Sequence, residues 1–280
     1  MKLVRALWGS THPGPTLVVT GLALALGIAV GLDAGRLVLL TLAVFAGQLS
    51  IGLSNDAIDA PRDRAVGRTD KPIARGDVSE RVAWGAAIGA LAAALVFSAP
   101  LGFGMLAAHA LFLASAWAYN AALKSTALSI VPFLISFGIF PSLVTLAAAE
   151  PRLAAPWAWV AGAALGAAVH LTNVLPDLED DERTGVRGLP HRIGPRASAV
   201  VAAVGIILGA VAVLLGAAGG DVGAVSTASW IFFGAVVVVA VATAVLALIR
   251  PPSRMLFRLV MLAALLLAAQ LAATGGAVAA

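Results

Sequence analysis

Nine stretches of this sequence are long and apolar enough to cross a lipid bilayer, which demands roughly 20 mostly apolar residues per span. They cover about residues 14–32, 37–57, 81–98, 101–120, 126–147, 155–176, 197–218, 227–249 and 256–274. The runs are rich in Ala, Leu, Val and Gly and lack the period-2 alternation that a membrane barrel needs. A composition of 61% hydrophobic and 11% charged residues, with mean hydropathy +0.99, is far from that of a soluble domain. The expectation is therefore an all-α polytopic membrane protein, one domain over residues 1–280, with nine transmembrane helices bundled around a central cavity. Lys2 and Arg5 before the first run could suggest a signal peptide, but eight further runs favour an uncleaved first helix.

The charges are distributed unevenly. Lys2, Arg5, Arg62, Arg64, Arg68, Lys71, Arg75, Arg81, Lys124, Arg183, Arg187, Arg192, Arg196, Arg250, Arg254 and Arg258 fall on one side of this topology, and only Arg36 and Arg152 on the other. Such asymmetry puts the N-terminus in the cytoplasm and, after nine crossings, the C-terminus outside. A bacterial-type cytoplasmic membrane is the expected location. The basic balance (pI near 10.3) then reads as orientation in the bilayer, and no nucleic-acid partner is expected. With no cysteine, disulfides, thiolate nucleophiles and zinc–thiolate sites are excluded.

Eleven of the 14 acidic residues sit in two cytoplasmic loops, about 56–80 and 177–196. The first reads Asn55-x3-Asp59-x3-Asp63-x3-Gly67, followed by Lys71-Pro72. The second reads Asn173-x3-Asp177-x3-Asp181-x3-Gly185, followed by Leu189-Pro190. Residues four apart share one helical face, so each motif predicts a polar stripe. The carrying spans are four apart and run in the same direction, which suggests an internal four-helix repeat with the stripes facing across a cavity.

Like charges at i,i+4 oppose a helix unless neutralised. Carboxylates on facing helices suit Mg²⁺, which a few carboxylates and substrate phosphates commonly hold. Arg68, Lys71, Arg75, Lys124 and Arg187 are candidate contacts for a polyphosphate. Carboxylates for metal and cations for phosphate, at the mouth of an apolar cavity, match a prenyl diphosphate. Arg62, Arg64, Arg81, Arg250, Arg254 and Arg258 read more simply as charges that set topology. His170 fits substrate approach or packing equally, His109 an interior hydrogen bond, and His12 and His191 carry no assignment. The pairs Gly27/Gly31, Gly85/Gly89, Gly162/Gly166 and Gly205/Gly209 predict close helix packing.

At "NDAIDAPRD" (55–63), "RTDKPIARG" (68–76), "YNAALK" (119–124) and "NVLPDLEDDERTG" (173–185), with "THPGPT" (11–16) leading into the first span, the chain resembles the UbiA superfamily of intramembrane prenyltransferases. The resemblance covers nearly the whole length. It implies a helical bundle around a laterally open cavity in which both Asp motifs hold Mg²⁺ against a diphosphate. Carried over by position, it makes Asp59, Asp63, Asp177 and Asp181 metal ligands or near-ligands, with Asp56 beside them and Asn55 and Asn173 in support. Arg68, Lys71, Tyr119 and Lys124 fall where the family contacts the diphosphate. The implied activity is transfer of a prenyl group to an aromatic or other lipophilic acceptor within the membrane, and no residue set identifies the acceptor or the oligomeric state. A membrane terpene cyclase would share the ionisation machinery. A secondary transporter fits poorly, since its ionisable groups belong near the bilayer midplane, and the Asp-Gly-x-x-Ala-Arg signature of a CDP-alcohol phosphotransferase is missing.

Overall fold

The computed structural model describes residues 2–251, 253–273 and 278, with backbone alone for Glu179 and residues 271–273. No strand occurs among them. The helices are α1 (Lys2–Gly9), α2 (Pro13–Val30), α3 (Ala34–Ala65), α4 (Pro72–Arg75), α5 (Glu80–Ser98), α6 (Phe103–Ala121), α7 (Val131–Leu146), α8 (Pro156–Asn173), α9 (Leu178–Arg183), α10 (Leu189–Ile193), α11 (Pro195–Gly216), α12 (Thr227–Ile249) and α13 (Arg254–Ala273).

All nine expected segments are helical. Six of these helices, α2, α3, α5, α8, α11 and α12, are long and apolar enough to span a bilayer. The expected fifth span is shorter than its apolar run: residues 123–125 form a 3₁₀ turn, and α7 starts only at Val131, with Pro132 in its first turn. Proline suits that place because the first-turn N–H groups have no helical partner. Residue 274, the last of the expected ninth span, lies outside the described residues.

Helix starts follow local chemistry. Asp33 accepts from the Arg36 amide at the start of α3, and Ser79 and Ser226 cap α5 and α12 in the same way. Gly31 and Gly76 end α2 and α4 in the left-handed conformation that glycine adopts without steric cost. The helices close into a ring. In chain order α2 packs on α3, α3 on α5 and α6, α6 on α7, α7 on α8, α8 on α11, α11 on α12, α12 on α13, and α13 returns to α2. Small residues permit close approach in part of it. A Cβ on Gly162 would overlap the Phe137 carbonyl, and one on Gly166 would sit 2.7 Å from the Phe137 Cβ, so α7 and α8 meet backbone to backbone. Gly85 and Gly89 behave otherwise: both face open space, because their side of α5 meets no neighbouring helix.

The two acidic motifs differ in backbone. Helix α3 runs unbroken for 32 residues, through Pro61. At about 1.5 Å per residue it is about 48 Å long, well beyond the hydrocarbon thickness of about 30 Å. Its last turns therefore carry Asn55, Asp59 and Asp63 on one stripe, as the spacing predicts. The second motif is not one helical stripe. Helix α8 ends at Asn173, residues Leu175–Asp177 form a 3₁₀ turn around Pro176, and α9 restarts at Leu178. Proline removes an amide donor and pushes the preceding residue away from the helical region.

Candidate active site

The C-terminal ends of α3 and α8 meet the N-terminal ends of α2 and α13 around a polar cavity of about 740 Å³. Its walls include Asn55, Asp59, Asp63 and Arg62 from α3, Asn173 at the end of α8, Asp177 and Asp181 from the segment after it, and Arg68, Lys71, Tyr119 and Lys124 from the chain between. Two segments more than 100 residues apart in sequence thus place both acidic motifs on one cavity.

Cations join the motifs. Arg62 lies 3.1 Å from Asp59, 3.8 Å from Asp63 and 3.5 Å from Asp181, so one guanidinium touches carboxylates of both. Arg68 makes a second crossing, 3.3 Å from Asp177, while its other nitrogens hold Asp70 at 2.8 and 2.9 Å. Lys124 pairs with Asp59. The Arg62–Asp59, Arg68–Asp177 and Lys124–Asp59 contacts are part-buried, where opposite charges are screened less than at an open surface; the Arg68–Asp70 pair is exposed.

The electrostatics follow from this packing. Its hydrogen bonds to Asp70 raise the Arg68 guanidinium above its ordinary value, and the same bonds hold Asp70 far below the usual carboxylate range. Asp181 moves the other way. Burial pushes its carboxyl up to about 6, opposed by Arg62 and reinforced by Asp177 and Asp59. Burial also lowers His191, whose ring lies 3.7 Å from Asp181.

Other expected residues stand apart. Asp56 is buried behind the cavity wall. One of its oxygens accepts from Lys71 at 2.6 Å and lies 2.9 Å from His12 Nε2. It faces Lys71 and His12 because its place on α3, one residue past Asn55, turns it from the acidic stripe. Arg187 is exposed and lies off the cavity wall; Arg75 is likewise exposed and pairs with Asp77. Tyr119 lies edge-on to Phe133, with ring centroids 4.9 Å apart, and to His170 at 5.7 Å. His170 lines the cavity and is held at 3.0 Å by Ser129, which also accepts from the Leu189 amide. His109 is interior and bonded to Ser98 at 2.7 Å, as expected.

Residues given no role in the site by the sequence also line the cavity, among them Arg62, His12, Asp70, His191, Arg254 and Arg258. His12 has φ 54°, the one positive value on a non-glycine residue among those described. Arg62 carried a readable signal, since it lies three residues after Asp59 and beside Asp63.

The donor set suits a hard cation. The candidate ligands are carboxylate and amide oxygens, which Mg²⁺ prefers. Among the described residues no three acidic or histidine side chains converge as a ready-made metal cluster. That is compatible with Mg²⁺, which takes only one or two carboxylates alongside substrate phosphates. The carboxylates are instead satisfied by Arg62, Arg68 and Lys124, so the cavity already demands positive charge where a cation would sit.

The polar cavity adjoins a mostly apolar one of about 170 Å³. The two share His12, Pro15, Asn55, Tyr119, Asn173, Phe257 and Met261 in their walls, and the second is also lined by Phe112, Phe133 and Phe137.

The fold has close counterparts. A UbiA homologue from Archaeoglobus fulgidus bound to GPP and Mg²⁺ superposes with TM-score 0.71 at 14% identity, covering 98% of this chain and 100% of that one. The apo UbiA homologue from Aeropyrum pernix K1 gives 0.73 at 19% identity, covering 91% and 96%. A digeranylgeranylglyceryl phosphate synthase gives 0.68 at 13% identity, covering 99% of each chain. At such identities the likeness establishes the fold alone. No curated protein sequence matches the chain. The family model of the UbiA prenyltransferases matches residues 15–266. An all-helical membrane chain with this fold, matched over that length, belongs to the UbiA prenyltransferase family.

Proposed function

We propose that this protein transfers a prenyl group from a prenyl diphosphate to an aromatic or other lipophilic acceptor within the membrane, with Mg²⁺ as cofactor, releasing diphosphate. One observation carries the reading: two distant acidic motifs share a cation-rich cavity that opens into an apolar one. A diphosphate with a hydrocarbon tail has that polarity. Asp59, Asp63, Asp177 and Asp181 would hold Mg²⁺, with Asn55 and Asn173 as oxygen donors beside them. Bound there, Mg²⁺ supplies charge neutralisation of the diphosphate as a leaving group.

The chain's own groups divide the remaining work. Arg68, Lys71 and Lys124 donate to diphosphate oxygens and stabilise the charge that grows as the allylic C–O bond breaks. Tyr119 and Phe133 present aromatic rings beside the junction of the two cavities, where ring faces favour developing positive charge. Asp56 holds Lys71 in place and acts on the diphosphate only through it. Arg187 and Arg75, both exposed, have at most a long-range electrostatic part.

Nine crossings, a cytoplasmic N-terminus and an outer C-terminus are the topology that best fits the charge asymmetry. The cavity then opens to the cytoplasmic face, where soluble diphosphates are available.

The test is turnover of prenyl diphosphates by the purified protein in nanodiscs, with Mg²⁺ and a panel of aromatic and lipid acceptors. A coupled product formed with diphosphate release supports the proposal. A cyclic hydrocarbon or alcohol formed without acceptor would assign a terpene cyclase instead.

A further inference from the structure

The polar cavity has two sides of opposite character. The carboxylates gather where α3 and α8 end, and helix C-termini carry partial negative charge. The N-termini of α2 and α13, with their partial positive charge, form the other side. Pro13 and Pro15 have no N–H, and the Gly14 amide between them bonds to no acceptor among the described residues. Helix α13 adds Arg254 and Arg258, four residues apart and so on one face. Arg62, Arg68, Lys71 and Lys124 are each paired with a carboxylate. Arg254 is less well satisfied. It lies 3.4 Å from an Asp70 oxygen that Arg68 already holds at 2.9 Å, and Arg258 pairs with no carboxylate among the described residues.

An apolar groove continues from these arginines. Phe257, Met261, Leu262 and Leu265 of α13, with Val18 of α2, extend the wall of the same cavity. With Arg254 and Arg258 they fall at i, i+3, i+4, i+7, i+8 and i+11, so one face of α13 carries guanidinium groups at one end and apolar side chains along the rest. Leu262 and Leu265 are also exposed, so the groove opens on the apolar flank of the bundle. The second cavity, with its three phenylalanines, leaves the same chamber between other helices, and Phe257 and Met261 line both. One polar chamber thus has two apolar branches, as a reaction that joins two lipophilic substrates requires.

We infer that Arg254 and Arg258, with the Gly14 amide, form a head-group subsite for the acceptor, and that the acceptor is a phosphate-bearing amphiphile whose chain lies in the α2–α13 groove. This rests on the function proposed above. Two guanidinium forks match the oxygens and the double charge of a phosphate monoester, and helix N-termini favour the same ligand. Asp70 alone separates Arg254 from Arg68, so a phosphate held there sits beside the diphosphate site. The acceptor's nucleophilic atom then bonds to the allylic carbon as the C–O bond breaks, the electron pair leaves with diphosphate, and the acceptor's proton passes to that leaving group.

The test measures equilibrium binding of decyl phosphate, a probe with no alcohol to prenylate, to the purified protein in neutral detergent with saturating Mg²⁺ and inorganic diphosphate. The probe binds alongside them, whereas decanol and inorganic phosphate, each offering half of what the subsite and groove recognise, bind far more weakly. Arg254→Gln and Arg258→Gln each weaken the probe about tenfold, the scale of one charge-assisted contact, and leave diphosphate affinity unchanged. Arg250→Gln, which removes an exposed arginine off the cavity wall, alters neither. In turnover the probe inhibits competitively against the acceptor and not against the prenyl diphosphate. Displacement of the probe by diphosphate, or unchanged binding in both cavity-arginine variants, overturns the subsite while leaving prenyl transfer intact. Phosphatidylglycerol that displaces the probe at equal concentration makes this a site for bilayer lipid and overturns the acceptor assignment. Wild-type protein that binds the probe but turns over no prenyl diphosphate with any acceptor overturns the function on which that assignment rests.

Discussion

Arg62 and Asp181 meet at 3.5 Å although they are far apart in sequence, and the same guanidinium lies 3.1 Å from Asp59. The end of α3 is thereby tied to α9 across the polar cavity. Both ends are dense in carboxylates that would otherwise repel, so a single arginine does before ligand binding what a dication would do afterwards. The first consequence concerns the metal-free protein. Arg62→Ala leaves Asp59, Asp63 and Asp181 facing one another and lowers stability by about 1–2 kcal/mol, a value reduced for partial solvent exposure. Thermal unfolding in chelator shows the loss, and Mg²⁺ with inorganic diphosphate narrows the gap between variant and wild type. An equal gap under both conditions would contradict it.

Asp59→Ala and Asp177→Ala each remove a carboxylate of one motif and leave its cation, Lys124 or Arg68, without that partner. Each lowers turnover by about a hundredfold or more, the scale of losing one group that stabilises a transition state. The folded protein persists in the membrane, as size-exclusion chromatography in detergent would show.

Asp56 and Lys71 act as a unit. The Asp56 carboxylate sits behind the cavity and holds Lys71 at 2.6 Å. Asp56→Asn frees the ammonium and weakens diphosphate binding about tenfold. Lys71→Met does the same, and the double variant is no worse than the poorer single one, because coupled residues are not additive. Competition by inorganic diphosphate supplies the affinities for this cycle.

Burial raises Asp181 to about 6. Its folded-state value lies above its unfolded value, so protonation favours folding and this group's contribution is lost as pH rises from about 4 through about 6. Asp181→Asn cannot ionise. In chelator its melting temperature relative to wild type therefore climbs across that window and levels off above it. A difference independent of pH would place the carboxyl in a less buried setting.

Much of this site is legible in the residues. The stripe on α3 follows directly from its spacing, because a continuous helix brings Asn55, Asp59 and Asp63 to one face. The second motif has identical spacing but a different backbone. Both segments contain a proline, yet the helix continues through Pro61 and breaks at Pro176; the difference lies in tertiary surroundings that spacing does not encode. Arg62 stood beside the motif in sequence, but its crossing to the second motif was hidden for a related reason. With Arg64 two residues on, it looks like a topology charge, and its partner Asp181 comes close only once the ring of helices has closed. His12 was hidden by its backbone, since nothing local announces a left-handed conformation at a non-glycine residue. Asp56 reads as one more acidic group of the motif; only the packing of Lys71 and His12 around it gives it a separate part.

The most direct measurement is diphosphate release by the reconstituted protein with geranyl diphosphate and an acceptor panel, with the product identified by mass, across wild type, Asp59→Ala and Asp177→Ala, with and without Mg²⁺. The account predicts acceptor-dependent release in equal amount to a prenylated product, abolished by chelator and by either substitution. Release that survives chelation, or that continues at the wild-type rate in either variant, would contradict it.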